Sequence, residues 1–442
     1  MYRIDSPAVL AHESVMSNPV YRERVERVAA ALVEPREVVT YRDDELPELV
    51  EKYGLFKNRV AMGTLDDVHD PVLLFNTWRF NDSVDVIQER ATRLKEAGVH
   101  PHHELVGTNA FHWANYNQKG DEQAKDKVCR PCWRIHMEHG CLHRCMYCAL
   151  GGLLTTMVNV EDFCKHLDII MEAHPWQKTF LLDDDADPPC LEPELGCLGK
   201  LIEHFGTKKD RYLIIHTKTW NTEWMGDLRH NGNTIIVWSI SGPTQSSVIE
   251  PNAGTTEQRV EAARIAEEAG YQIRYKFKPI IPVRTWREDA AATMDMIFSK
   301  THPDVISLCC FMWMDVDEMK TRLAPVLDRL DPVFLKAAED EKEEMAKYVK
   351  TLPFPPWVRE EIYSHHLAEI RKHDREVPVS LSTENWDMWS RFEEKLGAGP
   401  TNYTCGCGPM AVPGAKKLDC HAFKAAVRQE VDVPCATIAA KG

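Results

Sequence analysis

The sequence predicts an α/β protein built on a partial (β/α)6 barrel, preceded by an N-terminal extension and followed by a helical, cysteine-containing extension. Three observations predict this. Between about residues 130 and 315, short apolar runs alternate with helix-patterned segments about six times, as parallel strands joined by right-handed crossovers do. A loop with three closely spaced cysteines follows the first of those runs. At 442 residues the chain also exceeds what one core usually organises, so elaborations around a main domain are expected. We divide it into a mixed α/β extension over 1–125, a barrel over 126–315 and a helical region with a cysteine-rich tail over 316–442.

In the first segment only "ERVERVAAALVE" and "SVDVIQERATRLKEAG" carry helical periodicity. His102, His103 and His112 in "PHHELVGTNAFHWAN" read as packed beside tryptophan rather than ligating. The barrel strands are expected in "CWRIHMEHG", "TFLLDDD", "RYLIIHTK", "TIIVWSIS", "QIRYKFKPI" and "DVISLCCFM". Helices are expected in "NVEDFCKHLDIIMEAH", "LGCLGKLIEHFG", "TTEQRVEAARIAEEAG" and "AATMDMIFSK". The third of these is the best marked, with Thr255 or Thr256 as N-cap, Glu257 and Glu261 in its early turns and Gly270 as its stop. Beyond residue 315 the pattern is helical, and the charge run Glu339 to Glu344 reads as a solvated face. The stretch from Gly397 to Cys420 has too few apolar residues to fold alone, so metal or packing must hold it.

A formal charge of −15 gives no general attraction to a phosphate backbone, so nucleic acid is a disfavoured partner. No basic leader followed by an apolar core is visible, and no run of about 18 apolar residues occurs, which predicts a cytoplasmic protein with no membrane partner. The 14 cysteines then read as reduced thiols, metal ligands or catalytic groups before disulfides. Cys164, Cys190, Cys197 and Cys435 read as small packed side chains.

In "HGCLHRCMYCALGG", Cys141, Cys145 and Cys148 are spaced to hold three irons of a [4Fe-4S] cluster and leave the fourth open. A structural zinc site normally closes with four ligands. The loop also leaves the C-terminal end of the first barrel strand, where barrel enzymes place their chemistry. A CxxxCxxC loop there resembles the radical S-adenosylmethionine superfamily, whose open iron is bound by the amino and carboxylate groups of that cofactor. Tyr147, just before Cys148, fits the superfamily's pattern.

Residues 130 to 285 resemble the spore photoproduct lyase family more closely, through "RYLIIHTKTW", "TIIVWSISG", "VIEPNAGTTEQRVEAARIAEEAGYQI" and the following "PIIP". The resemblance implies that Lys218 and Ser239 contact the methionine or ribose portion of S-adenosylmethionine, with Ser241 beside them. The chain departs from the family at two places. Ala149 stands where the lyase has a relay tyrosine, and Asp183, Asp184, Asp185 and Asp187 stand where it has a hydrogen-donating cysteine, with Cys190 just beyond. These departures argue against a DNA photoproduct as substrate.

Strand alternation sends Ile273, Tyr275 and Phe277 to the helices and Arg274, Lys276 and Lys278 into the lumen. In the first strand it sends Arg134, His136 and Glu138 inward. Buried cations need partners, supplied by an internal ion-pair network or, as we favour, by a small polar anionic substrate, with Lys276 as a candidate catalytic residue. Alternation turns only one of Cys309 and Cys310 inward, where a thiol can donate hydrogen or hold a soft substrate; packed thiols are the alternative. Cys129 and Cys132, with Cys405 and Cys407, form two separated pairs suited to zinc or an auxiliary iron–sulfur cluster. Alternatively these are ordinary free thiols, or Cys405, Cys407 and Cys420, with or without His421, bind a thiophilic substrate.

The expected activity is reductive cleavage of S-adenosylmethionine, with electrons from an external one-electron donor such as flavodoxin or ferredoxin. The resulting carbon radical, usually 5′-deoxyadenosyl, abstracts hydrogen from the substrate. The alternatives are transfer of the 3-amino-3-carboxypropyl group to a thiophilic acceptor such as trivalent arsenic, photoproduct lyase-like repair, and a non-catalytic zinc-binding module.

Overall fold

The computed structural model describes residues 1–57, 60–66, 69–100, 102–114, 128–130, 132–347 and 352–418. Its strands are β1 Val9–His12, β2 Val38–Tyr41, β3 Val72–Asn76, β4 Phe111–Ala114, β5 Cys132–Ile135, β6 Glu138–His139 and β7 Leu153–Met157. They continue as β8 Thr179–Leu182, β9 Tyr212–Thr217, β10 Thr234–Ile240, β11 Gln272–Ile280, β12 Ile306–Cys310 and β13 Val379–Leu381. The larger sheet has the order β13-β12-β11-β10-β9-β8-β5-β4. The six runs expected as barrel strands are β5 and β8 to β12, each parallel to the next. Both faces of these strands are buried, which explains their nearly continuous apolar character: Ile236 and Trp238 of β10 join the main core, while Ile235 and Val237 face Leu181 and Ile214 inside the curve of the sheet.

Two edge strands extend the six, β13 running parallel to β12 and β4 antiparallel to β5. The smaller sheet, β2-β1-β3-β7-β6, joins strands of the first 76 residues to strands that flank the cysteine loop. Both sheets therefore draw strands from more than one of the sequence segments. Among the described residues no helix is long and apolar enough to cross a membrane.

The helix Thr256–Glu268 begins at Thr255, whose side chain accepts from the Gln258 backbone N–H while the Gln258 side chain accepts from the Thr255 N–H. It stops before Gly270, at a φ of +93°.

The first barrel strand is shorter than alternation implied. The Asp183 carboxylate accepts the backbone N–H groups of Met137 (3.0 Å) and Glu138 (3.1 Å), which turns the chain out of the barrel after Ile135. Glu138 is thus carried into β6 of the smaller sheet and does not line the lumen as expected.

The tail closes the N-terminal end of the barrel. The Pro409 carbonyl accepts from the N–H groups of Lys178 (2.8 Å) and Thr179 (3.0 Å) at the start of β8, and the Thr179 hydroxyl donates to the Gly408 carbonyl. Arg274, expected in a substrate site, belongs to this closure. Its guanidinium pairs with Asp304 at 2.7 and 3.0 Å and donates to the carbonyls of Gly406 (3.3 Å) and Val412 (3.2 Å). Alternation placed the side chain on the correct face, but at the closed end of the lumen. Arg274→Met leaves Asp304 with the Gly414 N–H (3.0 Å) but no cation and takes the guanidinium from two carbonyls, so we expect it to cost up to about 3–5 kcal/mol and to expose residues 405–418 to limited proteolysis. A wild-type melting curve and digestion pattern would contradict this role.

Candidate active site

Gly140 opens the cysteine loop at a φ of +104°, where any side chain would overlap the Leu153 carbonyl. The Cys141 N–H then donates to the Leu150 carbonyl (2.8 Å), and that of Cys148 to the Cys145 carbonyl (2.9 Å). Three distant parts of the chain clamp the loop. Met62 and Gly63 donate to the carbonyls of Cys148 and Met146 at 2.9 Å each, Arg144 and Met146 donate to the carbonyls of Pro251 and Ile249, and Arg322 donates to the Tyr147 carbonyl at 2.7 Å.

Cys141, Cys145 and Cys148 all line one cavity of about 510 Å³, a size suited to a cofactor with a small substrate. Their three sulfurs do not all lie within 4.8 Å of one another, whereas the thiolates around a single tetrahedral zinc stand about 3.8 Å apart, as Zn–S bonds of about 2.3 Å require. Burial pushes all three thiols upward, Cys148 to about 11, so the thiolate form depends on metal.

Beside the thiols lies a buried charge network centred on Glu250. Its carboxylate accepts from Arg259 (2.7 Å), the Tyr147 hydroxyl (2.8 Å), Ser241 (3.0 Å), Gln245 (3.2 Å) and Lys218 (3.3 Å). Burial alone would raise this carboxyl, but Lys218 and Arg259 hold it well below the usual range. Lys218 Nζ also lies 2.5 Å from the Tyr147 hydroxyl and 3.6 Å from Cys145 Sγ, at the cavity wall. Its backbone is set by Asp187, which accepts from the Lys218 N–H (2.7 Å) and the Thr217 hydroxyl (2.6 Å). Asp187 also faces His143 at 3.4 Å, an imidazole that burial drives down to about 4 and so keeps neutral.

The opposite wall is cationic and thiol-bearing. Lys276 and Lys278 project into the cavity from β11, and among the described residues neither pairs with a carboxylate. Burial, then the charge of Lys276, pulls Lys278 down to about 8. Lys276 Nζ stands 3.8 Å from Cys407 Sγ. A hydrogen bond from Cys405, with Lys276 and His216 alongside, holds the Cys407 thiol well below its usual range despite burial. Arg134 also lines the cavity, paired with Asp184.

Several expected site residues stand elsewhere. Ser239 lines the cavity, but Ser241 is buried behind it as a partner of Glu250. Cys310 faces the main core, and Cys309, on the other face, is covered by Met312 (3.5 Å) and Thr383 (3.6 Å), so neither lines the cavity. Two flanking side chains thus withhold from the lumen the thiol that alternation directed there. Cys129 and Cys407 reach the cavity, Cys132 is buried, and no three of Cys129, Cys132, Cys405 and Cys407 lie within 4.8 Å of one another. Cys420, His421 and Cys435 lie outside the described residues. Cys190 is buried 3.9 Å from His143 and does not open onto the cavity. Sequence reasoning missed Glu250, Arg259, Arg322 and His143, because their importance comes from contacts spanning 9 to 175 positions. Only the repeated charge of "VIEPNAGTTEQR" hinted at the first two.

The family model of spore photoproduct lyase matches residues 127–318, the segment that holds the barrel strands and the three-thiol loop. That segment is similar to spore photoproduct lyase. It is 30% identical to the spore photoproduct lyase of Bacillus subtilis (strain 168) over 163 residues, 35% of this chain and 48% of that protein. It is 26% identical to the enzyme of Clostridium acetobutylicum over 172 residues, 37% of this chain and 51% of that one. The chain thus spans about half the length of the curated relatives it matches. In three dimensions the likeness is broader: a spore photoproduct lyase complexed with dinucleoside spore photoproduct superimposes with a TM-score of 0.60 at 14% identity, over 86% of this chain and 99% of the other. A variant of that lyase with bound AdoMet and dinucleoside spore photoproduct gives 0.58 at 14% identity over the same shares. The common fold therefore reaches well beyond the segment recognised in sequence.

Proposed function

We propose that the protein is a radical S-adenosylmethionine enzyme acting on a small, polar, anionic substrate held between the three-thiol loop and Lys276 and Lys278. One observation carries this reading: a single cavity is lined by the three thiols and by buried Lys276 and half-buried Lys278, neither of which pairs with a carboxylate among the described residues. When bound, a [4Fe-4S] cluster with S-adenosylmethionine supplies one-electron cleavage of a carbon–sulfur bond. The chain's own residues then bind and position. Cys141, Cys145 and Cys148 hold the cluster; Lys218 and Ser239 offer donors to the cofactor's carboxylate and hydroxyls; Glu250 fixes Lys218 and Tyr147. The tail closes the far end of the barrel and excludes water from that side.

Anaerobic incubation with dithionite and S-adenosylmethionine tests the reading. Formation of 5′-deoxyadenosine is the expected result, and complete inertness of cluster-loaded protein would overturn it. Lys276→Ala should lower coupled turnover about 10-fold to 100-fold, the worth of one charge-assisted hydrogen bond, while slow uncoupled cofactor cleavage and the melting temperature stay near wild type. Lys278 adds a pH dependence of known sign. It is charged below about 8 and loses its proton as pH rises through that value, so substrate KM should climb on the alkaline side. Lys278→Arg should flatten that limb; an unchanged profile would remove Lys278 from the substrate site.

A second reading rests on Cys407. A thiolate beside Lys276 and His216 suits a soft, thiophilic acceptor, for which the matching reaction is transfer of the 3-amino-3-carboxypropyl group. Methylthioadenosine in place of 5′-deoxyadenosine would select it. The net charge of −15 favours a small molecule over DNA as the partner in either case.

A further inference from the structure

Beside the barrel mouth, and separated from the main cavity by the Arg134–Asp184 pair, lies a second cavity of about 310 Å³. Six histidines line it: His100, His102, His103, His112, His136 and His139. Nothing in the cofactor chemistry proposed above uses them. Their sequence neighbourhood suggested packed rings, yet the fold brings them to one polar pocket from three separate places. His100 to His103 follow the helix Val84–Glu96, His112 is on β4, and His136 and His139 lie at the exit from β5.

We propose that this pocket is a divalent transition-metal site whose ligands are the imidazoles of His100, His102 and His139 and the carboxylate of Glu104. Two imidazoles bound to one ion at about 2.0–2.1 Å have ring centres about 5 Å apart. The ring centres of His100 and His102 are 4.4 Å apart and those of His102 and His139 6.4 Å, which brackets that value. Glu104 Oε1 stands 3.9 Å from His139 Nδ1, so the carboxylate reaches the same point. Forming the shell requires these rings to rotate, His102 off its stacking on Phe56, since no three of these ligand atoms lie within 4.8 Å of one another. Imidazole with carboxylate is the donor set of zinc, nickel and ferrous iron rather than of calcium or magnesium. An ion here would tie the segment before β4 to β6, and so to the start of the cysteine loop at Gly140.

Zinc is the probe. Full-chain, cluster-loaded protein is dialysed against Zn²⁺ under anaerobic conditions, and the bound metal is counted and examined by zinc-edge X-ray absorption. The expected result is one zinc per chain in a nitrogen and oxygen shell. Affinity should fall at least about 10-fold, the scale of losing even an outer partner, in His102→Gln and His139→Gln, and should be unchanged in Cys405→Ser and Cys407→Ser. A zinc-dependent rise in melting temperature should disappear in the histidine variants while their metal-free melting temperature stays at the wild-type value. His139→Asn provides a second variant if glutamine disturbs folding. No zinc uptake, sulfur in the shell, or uptake indifferent to the histidine variants would each overturn the assignment.

Discussion

Cys141→Ala, Cys145→Ala and Cys148→Ala are each expected to abolish reductive cleavage of S-adenosylmethionine, with iron falling from about four per chain to a small fraction of that. In the proposed function each thiolate holds one iron, and burial makes an unmetallated thiol at these positions neutral and therefore a poor ligand for a damaged cluster. The effect should be confined to the site. The loop is clamped by backbone bonds to Met62, Gly63, Ile249 and Pro251, none of which involves a cysteine sulfur, so secondary structure measured by circular dichroism should be retained. Iron content and 5′-deoxyadenosine formation, measured after anaerobic reconstitution, check the prediction. A triple variant with full iron and full activity would end the radical reading altogether.

The second large effect belongs to a residue that performs no chemistry. Glu250→Ala removes the one carboxylate that, among the described residues, pairs with Lys218 and Arg259, leaving two cations facing each other in a buried site. Stranding buried charge in this way costs about 3–5 kcal/mol, and the same change frees Lys218 and Tyr147 from the position that aims them at the cavity. We therefore expect a much lower denaturation midpoint together with loss of S-adenosylmethionine affinity. The pH dependence has a definite sign. The Glu250 carboxyl is held below its unfolded value of about 4.3, so its contribution is complete above that pH and is lost as pH falls toward the folded value. The gap in stability between wild type and Glu250→Gln should therefore be widest near neutrality and narrow in acid. A gap that widened in acid would mean that Lys218 and Arg259 do not hold the carboxyl ionised.

The cluster loop was legible because its signal is local. Three thiols within eight positions, next to a glycine that must adopt a positive φ, mark a candidate metal loop from local spacing alone. The barrel was legible for a similar reason: strands buried on both faces are nearly apolar along their length, as β8, β9, β10 and β12 are, while β11 alternates apolar residues with cations. Period-two alternation also assigned the faces of β11 correctly, since Tyr275 and Phe277 pack in the core and Lys276 and Lys278 face the cavity.

Alternation gives the face of a strand but not the depth along it or what covers it, and the remaining findings turn on that difference. Arg274 and Lys276 are two residues apart on one face, yet the first is tied to Asp304 and the tail carbonyls while the second meets the cavity. Cys309 points inward, but Met312 and Thr383 cover it; Cys407, from a tail with no periodicity at all, reaches the cavity instead. Six histidines spread over 40 positions meet in one pocket only because β4 and the exit from β5 are antiparallel neighbours across the sheet edge. The sequence by itself determined the barrel and the cysteine loop, because each rests on periodicity or spacing within one short segment; the cofactor class came only as what the family resemblance implies. Only the tertiary structure decided which cations and thiols share a cavity, because burial and pairing of charge depend on segments hundreds of residues apart, and no local pattern encodes their meeting.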